Sequence, residues 1–253
     1  MNIIVVTGAS SGLGREFAEV LGNAGTADEI WVIARRVERL EELKSTIKTK
    51  VVPIPLDLSR TSEIEKYRKM LADSSANVLT LVNAAGFGRF GEFENITLSD
   101  QIDMIDLNAS ALTAMTYVTL PYMEMGAEIY QIGSLSAFQP VPYIGVYAAT
   151  KAYVLSFSRS LNVELKSRGI RSMAVCPGWI RTEFFDRAAD HPDVITYYNR
   201  FFTPAQVVKR AVRDMKKKKD VSVCGPTIRW QRFEVKLLPH RLVMKIWCWM
   251  QKK

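Results

Sequence analysis

Tyr147 and Lys151 stand four residues apart in a stretch patterned for a helix, so their side chains share one face. A free phenol gives up its proton only near pH 10 or about that, too high for efficient exchange near neutrality. An ammonium beside it favours the phenolate and lowers that value. The pair could thus give a proton to a carbonyl oxygen or take one from a hydroxyl. Spacing alone is weak evidence, because a Tyr and a Lys fall four apart on many helices.

A second constellation sits near the start of the chain. The apolar run Ile3–Val6 is followed by Thr7, Gly8, Ala9, Ser10, Ser11, Gly12, Leu13 and Gly14, and then by a helix-patterned stretch. Glycines allow a tight turn and let backbone amides approach a phosphate closely. The helix that follows turns its N-terminal amides and the positive end of its dipole toward an anion. A first strand-to-helix turn is the context in which such a loop binds a dinucleotide; a plain Gly-rich turn is the alternative. The next apolar run ends at Ile33-Ala34 and continues Arg35-Arg36. A site for NAD places a carboxylate there for the ribose 2′-hydroxyl. This chain has no acid at that point. Two guanidiniums suit a 2′-phosphate through bidentate hydrogen bonds and stacking on adenine, so NADP(H) is the expected cofactor. Solvated arginines at a helix start are the bland reading.

These residues must be carried by regular elements. Strand-like runs cover Ile3–Val6, Glu29–Ala34, Val51–Pro55, Val78–Val82, Glu128–Gly133, Ile170–Cys176 and Val221–Cys224. Between them lie helix candidates at Gly12–Leu21, Val37–Ile47, Thr61–Leu71, Leu98–Met123, Tyr147–Lys166 and Pro204–Met215. Alternation of this kind implies an α/β fold, with a doubly wound parallel sheet of about seven strands and helices on both faces. The length suits one domain. Residues 1–206 are expected to form the dinucleotide-binding and catalytic core. Residues 207–253 add the last core helix and strand and a basic amphipathic extension. Ligands of such sheets sit beyond the carboxyl ends of the strands.

The GxxxGxG spacing of the loop resembles that of the short-chain dehydrogenase/reductase family, single-domain Rossmann-fold oxidoreductases that use nicotinamide dinucleotides. Further motifs extend the likeness over residues 1–206. Asp57-Leu58 follows the third run, where the family's Asp contacts adenine. Asn83-Ala84-Ala85-Gly86 matches the NxAG signature. Tyr147 and Lys151 match YxxxK, with Ser134 thirteen residues before the Tyr. Pro177-Gly178 follows the sixth run, with Ile180 and Thr182 after it, where the family holds the nicotinamide. The resemblance implies that Ser134 holds the substrate oxygen, Tyr147 moves the proton, and Lys151 bonds the nicotinamide ribose. It implies that Asn108 anchors a water leading from Lys151 to solvent. Ser136 is a second choice for Ser134. Residues 147–165 resemble a subgroup of 3-oxoacyl thioester reductases and 17β-hydroxysteroid dehydrogenases. A catalytically silent cofactor sensor or membrane-surface scaffold is the alternative; it would be expected to lack Ser134, Tyr147 or Lys151, and all are present.

Aromatic residues flank the expected site: Phe87, Phe90 and Phe93, then Phe138 and Tyr143, then Trp179, Phe184, Phe185, Tyr197, Tyr198, Phe201 and Phe202. Mostly apolar pockets with a few placed polar groups suit a greasy carbonyl or alcohol, such as an acyl chain or steroid-like ring. Phe93 and Phe157 are expected to pack the lid and core. The only histidines are His191 and His240, and the three cysteines form no CxxC, so no metal site is expected. Free cysteines fit a cytoplasmic location. Val207–Lys253 carries fourteen Lys and Arg against three acids, so of the net charge of +8 the rest of the chain carries −3. A basic tail on an acidic body argues against nucleic acid. In Leu242–Met250 the apolar side chains form a broad face with Arg241, Lys245 and Lys252 opposite. That face is expected to pack on a second subunit, in a homodimer or homotetramer, or back onto the substrate loop. Peripheral contact with a membrane is the competing expectation.

Overall fold

Ile3, Ile4, Val5 and Val6 are all at most 1% exposed, as an interior strand covered on both faces requires. They lie in β1 (Asn2–Thr7) of a computed structural model that describes residues 1–188 and 194–253. His191 falls outside the described residues. Then follow β2 (Glu29–Ala34), β3 (Lys50–Pro55), β4 (Asn77–Asn83), β5 (Glu128–Ile132) and β6 (Arg171–Val175). A separate parallel pair, β7 (Trp179–Ile180) and β8 (Phe201–Phe202), precedes β9 (Val221–Ser222). The main sheet has seven parallel strands in the order β3-β2-β1-β4-β5-β6-β9, with the expected topology. The order reverses between β1 and β4, and that opens a crevice at their carboxyl ends.

Helices cover both faces. On one side, α1 (Gly12–Gly22) and α2 (Val37–Glu41) bury Phe17 and Leu40. On the other, α3 (Thr61–Ser74) buries Tyr67 and Leu71 beneath a second core. The stretch expected as one helix from Leu98 to Met123 is broken up. It runs as α4 (Leu98–Ile105), a π-helical turn at Asp106–Ala111, α5 (Leu112–Thr119) and a 3-10 turn. The widened turn contains Asn108. Such single turns recur at functional sites, where one extra residue re-aims a side chain.

The long helix α6 (Gly145–Glu164) carries Tyr147 and Lys151 and buries Val154, Ser158 and Leu161. Short α7 (Phe184–Ala188) follows β7. Helix α8 (Pro204–Lys216) starts with a capping box of Thr203 and Gln206 and Pro204 in its first turn. Two more helices close the chain, α9 (Pro226–Leu237) and α10 (His240–Met250). No helix was expected at α9. The signal was present in Pro226 after Gly225, but the basic charge of the segment masked it.

Candidate active site

One cleft of about 730 Å³ opens along the carboxyl ends of the strands. Its cofactor end begins at the turn between β1 and α1. Gly8 has φ +66°, and a Cβ there would stand 2.7 Å from Ala85 N and 2.8 Å from Ala84 O. A Cβ on Gly14 would lie 2.3 Å from Gly8 O. The loop is thus folded tightly on itself and on the turn after β4, leaving backbone at the groove. Backbone without side chains thus lines this end of the cleft, a lining that fits a dinucleotide pyrophosphate. Ser10, Ser11, Gly12 and Leu13 line it, as do Ala84, Ala85 and Gly86. Thr182 faces the loop from the opposite bank, where a Cβ on Gly12 would lie 3.3 Å from Thr182 Cγ2.

Asn83 does not join them. Its side chain is buried and donates to Thr116 Oγ1 and Gln131 Oε1, both at 3.0 Å, so it ties β4 to β5 and α5. Asp57 and Leu58 line the same cleft. Burial pushes the Asp57 carboxyl up, but hydrogen bonds from Ser59 outweigh it and hold the group below its ordinary value. Arg35 and Arg36 also line the cleft. Arg36 donates to Ser10 Oγ at 3.2 Å and pairs with Glu183 at 2.9 Å. Glu183, a carboxylate from 147 residues away that no sequence pattern announces, meets the expected phosphate-binding guanidinium. Both partners are half-exposed, so this pair contributes about 1 kcal/mol or less.

The chemical groups meet midway along the cleft. Lys151 is 5% exposed and donates to Ile132 O at 2.8 Å. Its Nζ lies 5.6 Å from the centre of the Tyr147 ring. The expected lowering of the Tyr147 pKa by Lys151 does not emerge. Burial pushes the phenol up to about 12, and a hydrogen bond with Ser134 opposes this. Burial also pulls Lys151 down to about 8. Both shifts favour the uncharged forms, because a charged group loses hydration in the interior. Ser134 Oγ accepts from Ser136 N at 3.2 Å. Ser136 Oγ is buried without a partner among the described residues, and it is Ser134 that is coupled to the phenol.

Asn108 is fully buried and stays behind the cleft wall. Its Oδ1 accepts from Phe87 N at 3.0 Å, and its Nδ2 donates to Phe87 O at 2.8 Å and Thr150 Oγ1 at 3.1 Å. Thr150 Oγ1 in turn donates to Tyr147 O at 2.7 Å. Both ends of the side chain are thus held by protein partners. It fastens the loop after β4 to the catalytic turn of α6. A Cβ on Gly86 would stand 2.6 Å from Asn108 Oδ1 and 3.5 Å from Lys151 Nζ, which shows how closely these groups gather.

Beyond Tyr147 the cleft becomes aromatic. Phe90 contacts Tyr147, Trp179 and Phe184 with ring centres 6.0 to 6.3 Å apart. Phe185, Tyr198 and Phe201 form a second layer. Pro177, Gly178 and Ile180 join the two ends. Phe93 is no part of this wall. It is 74% exposed, contrary to expectation, whereas Phe157 stacks on Tyr153. The far wall comes from the tail. Trp247 and Met250 of α10 and Gln231 of α9 line the cleft. Trp247 donates from its indole to Pro142 O at 3.1 Å. Fully buried Gln251 accepts from Thr196 N at 2.8 Å and Tyr197 N at 3.0 Å. The inner face of the tail therefore packs back onto the substrate loop.

The family model for short chain dehydrogenase matches residues 2–193. Sulfoacetaldehyde reductase 2 of Chromohalobacter salexigens is 33% identical over 189 residues, 72% of this chain and 74% of its own length. Very-long-chain 3-oxoacyl-CoA reductase-A of Danio rerio is 34% identical over 193 residues, 71% of this chain and 58% of its own length. A short-chain dehydrogenase from Sphingobium yanoikuyae, solved in complex with NADPH, aligns with TM-score 0.79 and 26% identity over 97% of this chain and 96% of its own.

Proposed function

Because the chain belongs to the short-chain dehydrogenase/reductase family, nicotinamide-dependent oxidoreductases of carbonyls and alcohols, we propose that it reduces an apolar ketone or aldehyde with NADPH and performs the reverse oxidation with NADP+. One observation carries this reading. A single cleft joins Ser134, Tyr147 and Lys151 to a glycine cradle on one side and an aromatic wall on the other.

The nicotinamide, when bound, supplies or accepts the hydride. Gly8, Ser10, Ser11, Gly12, Leu13 and Gly14 would hold its pyrophosphate, with Arg35, Arg36 and Ser10 at a 2′-phosphate. Asp57 and Leu58 would border the adenine, and Pro177, Gly178, Ile180 and Thr182 the nicotinamide. For Arg36 to grip a phosphate, its pairing with Glu183 must loosen, which is a small cost for a half-exposed pair. Burial keeps Tyr147 protonated, the state needed to give a proton to a carbonyl oxygen. Ser134, accepting from Ser136 N, would turn its hydroxyl proton from the phenol to the same carbonyl oxygen. Lys151, as an ammonium, offsets the charge left on the phenolate. Its bond to Ile132 O fixes that charge and leaves its other protons for ribose hydroxyls. Asn108 positions the Tyr147 turn through Thr150.

The two curated relatives above act on a sulfonated aldehyde and a long acyl thioester, by their names. The aromatic wall of this chain favours the apolar class, an acyl chain or steroid-like ring. A homodimer or homotetramer is the expected assembly. Leu98 of α4 and Tyr117 of α5, both three-quarters exposed or more, offer it an apolar face. NADPH consumption against ketones, diketones and acyl thioesters tests the reading. Turnover that Tyr147→Phe abolishes while NADPH still binds is the expected result. No turnover across the panel with intact cofactor binding would favour a silent cofactor sensor instead.

A further inference from the structure

Each of the last two helices buries one apolar stripe and exposes another. In α10, Val243, Trp247 and Met250 turn inward, whereas Leu242, Ile246 and Trp249 are 44%, 41% and 79% exposed. In α9, Ile228 and Val235 turn inward, whereas Trp230, Phe233 and Leu237 are 63%, 51% and 68% exposed. Trp230 and Phe233 touch, with ring centres 5.7 Å apart, and Leu238 continues the apolar surface toward α10. The inward stripes explain the folding of both helices; the outward ones stay exposed.

Residues 226–253 hold seven Lys and Arg and one acid, Glu234, so they carry +6 while the other 225 residues together carry +2. Glu234 accepts from the Trp230 indole at 2.7 Å. Arg229, Lys236, Arg241, Lys245, Lys252 and Lys253 are exposed around the apolar stripes. Tryptophans beside basic side chains on a helical surface match an interface whose apolar layer lies beneath anionic groups.

We propose that the exposed face of α9 and α10 docks on an anionic lipid surface. Charge selects this occupant. A two-fold pairing of this face with a second copy would set +6 against +6, whereas anionic headgroups neutralise the cations as the aromatic rings enter. No helix among the described residues is long and apolar enough to cross a membrane, so the helices lie on the surface. Because Trp247 and Met250 line the cleft from their inner side, docking brings the aromatic end of the cleft toward the lipid. The proposal does not depend on the substrate class.

Flotation of the full chain with phosphatidylcholine vesicles, alone or with about 30 mol% phosphatidylglycerol, tests it at about 50 and 150 mM salt. Binding to the anionic vesicles that weakens with salt is expected, with at least about tenfold less on neutral ones. Trp230→Ser/Trp249→Ser and, separately, Arg241→Glu/Lys245→Glu should each cut binding about tenfold, since dual-signal attachment fails when either signal goes. Thermal melting and turnover of a water-soluble carbonyl should stay unchanged, because none of these side chains lines the cleft. Absence of anionic-vesicle binding at low salt overturns the proposal, as does equal binding by both double variants. So does sedimentation showing a dimer that these substitutions convert to monomer without any vesicle binding.

Discussion

At the Gly8–Gly14 turn a single Cβ has nowhere to go, whereas at the Trp247 end the cleft is made almost wholly of side chains. The cofactor end is backbone drawn close by glycines in the turns after β1 and β4, with side chains from the ends of β2 and β3. The substrate end combines rings from the turn after β4, from β7 to β8, and from α9 and α10. Backbone at a phosphate leaves few residue types acceptable. A wall of rings accepts many, provided the volume is kept. Cofactor recognition is therefore rigidly specified in this chain, and substrate recognition is loosely specified.

Tyr147, at the seam, should show the largest effect. Tyr147→Phe is expected to lower kcat about 10³-fold with NADPH affinity unchanged; fluorescence titration beside steady-state kinetics reads both. If NADPH affinity falls as well, the two ends are not separable. Next is Gly14→Ala, whose Cβ would meet Gly8 O. A loss of about 3 kcal/mol is expected from overpacking, read by denaturant unfolding, together with weakened NADPH binding. A neutral outcome would show the cofactor end to be as forgiving as the rings.

The double change Arg35→Ala/Arg36→Ala should raise the KM for NADPH about 100-fold, with little change for NADH, as two charge-assisted contacts to a phosphate disappear. Equal losses for both cofactors would remove the 2′-phosphate role. Gln251→Ala should raise the carbonyl KM about tenfold while the NADPH KM stays fixed, because it loosens Thr196 and Tyr197 and leaves their amides without that partner. The smallest effect concerns pH. Lys151, pulled down to about 8 by burial, is an ammonium below that pH and neutral above it. If the charge supports the phenolate, kcat/KM for NADPH should fall by half near pH 8 and continue falling as pH rises. A flat profile through pH of about 9 would place the requirement elsewhere.

The same contrast explains what the sequence disclosed. Gly8, Gly14 and the Asn83–Gly86 turn are dictated by backbone geometry, and the buried runs of β1 to β6 by coverage on both faces. These features are local and left fixed patterns. The break in the Leu98–Met123 helix was hidden, because a π turn needs no special residue type and Asn108 reads as an ordinary helix position. Glu183 and Gln251 act across distances of 147 and 54 or more residues. No periodicity encodes such partners. Asn83 kept its place in the motif while its side chain turned to Thr116 and Gln131. The broad apolar face of the tail was visible, but its division into an inward and an outward stripe appears only once α9 and α10 are packed.

Gln251 also imposes an order in time. Phe201, the last ring of the aromatic wall, is made 50 residues before Gln251, which forms the clamp on Thr196 and Tyr197. At about 5–20 residues per second, that interval is on the order of three to ten seconds. During it the aromatic wall exists without the helix that closes it. A nascent chain thus passes through a stage in which its greasy rings face the crowded interior of a cell, and helix α10 ends that stage.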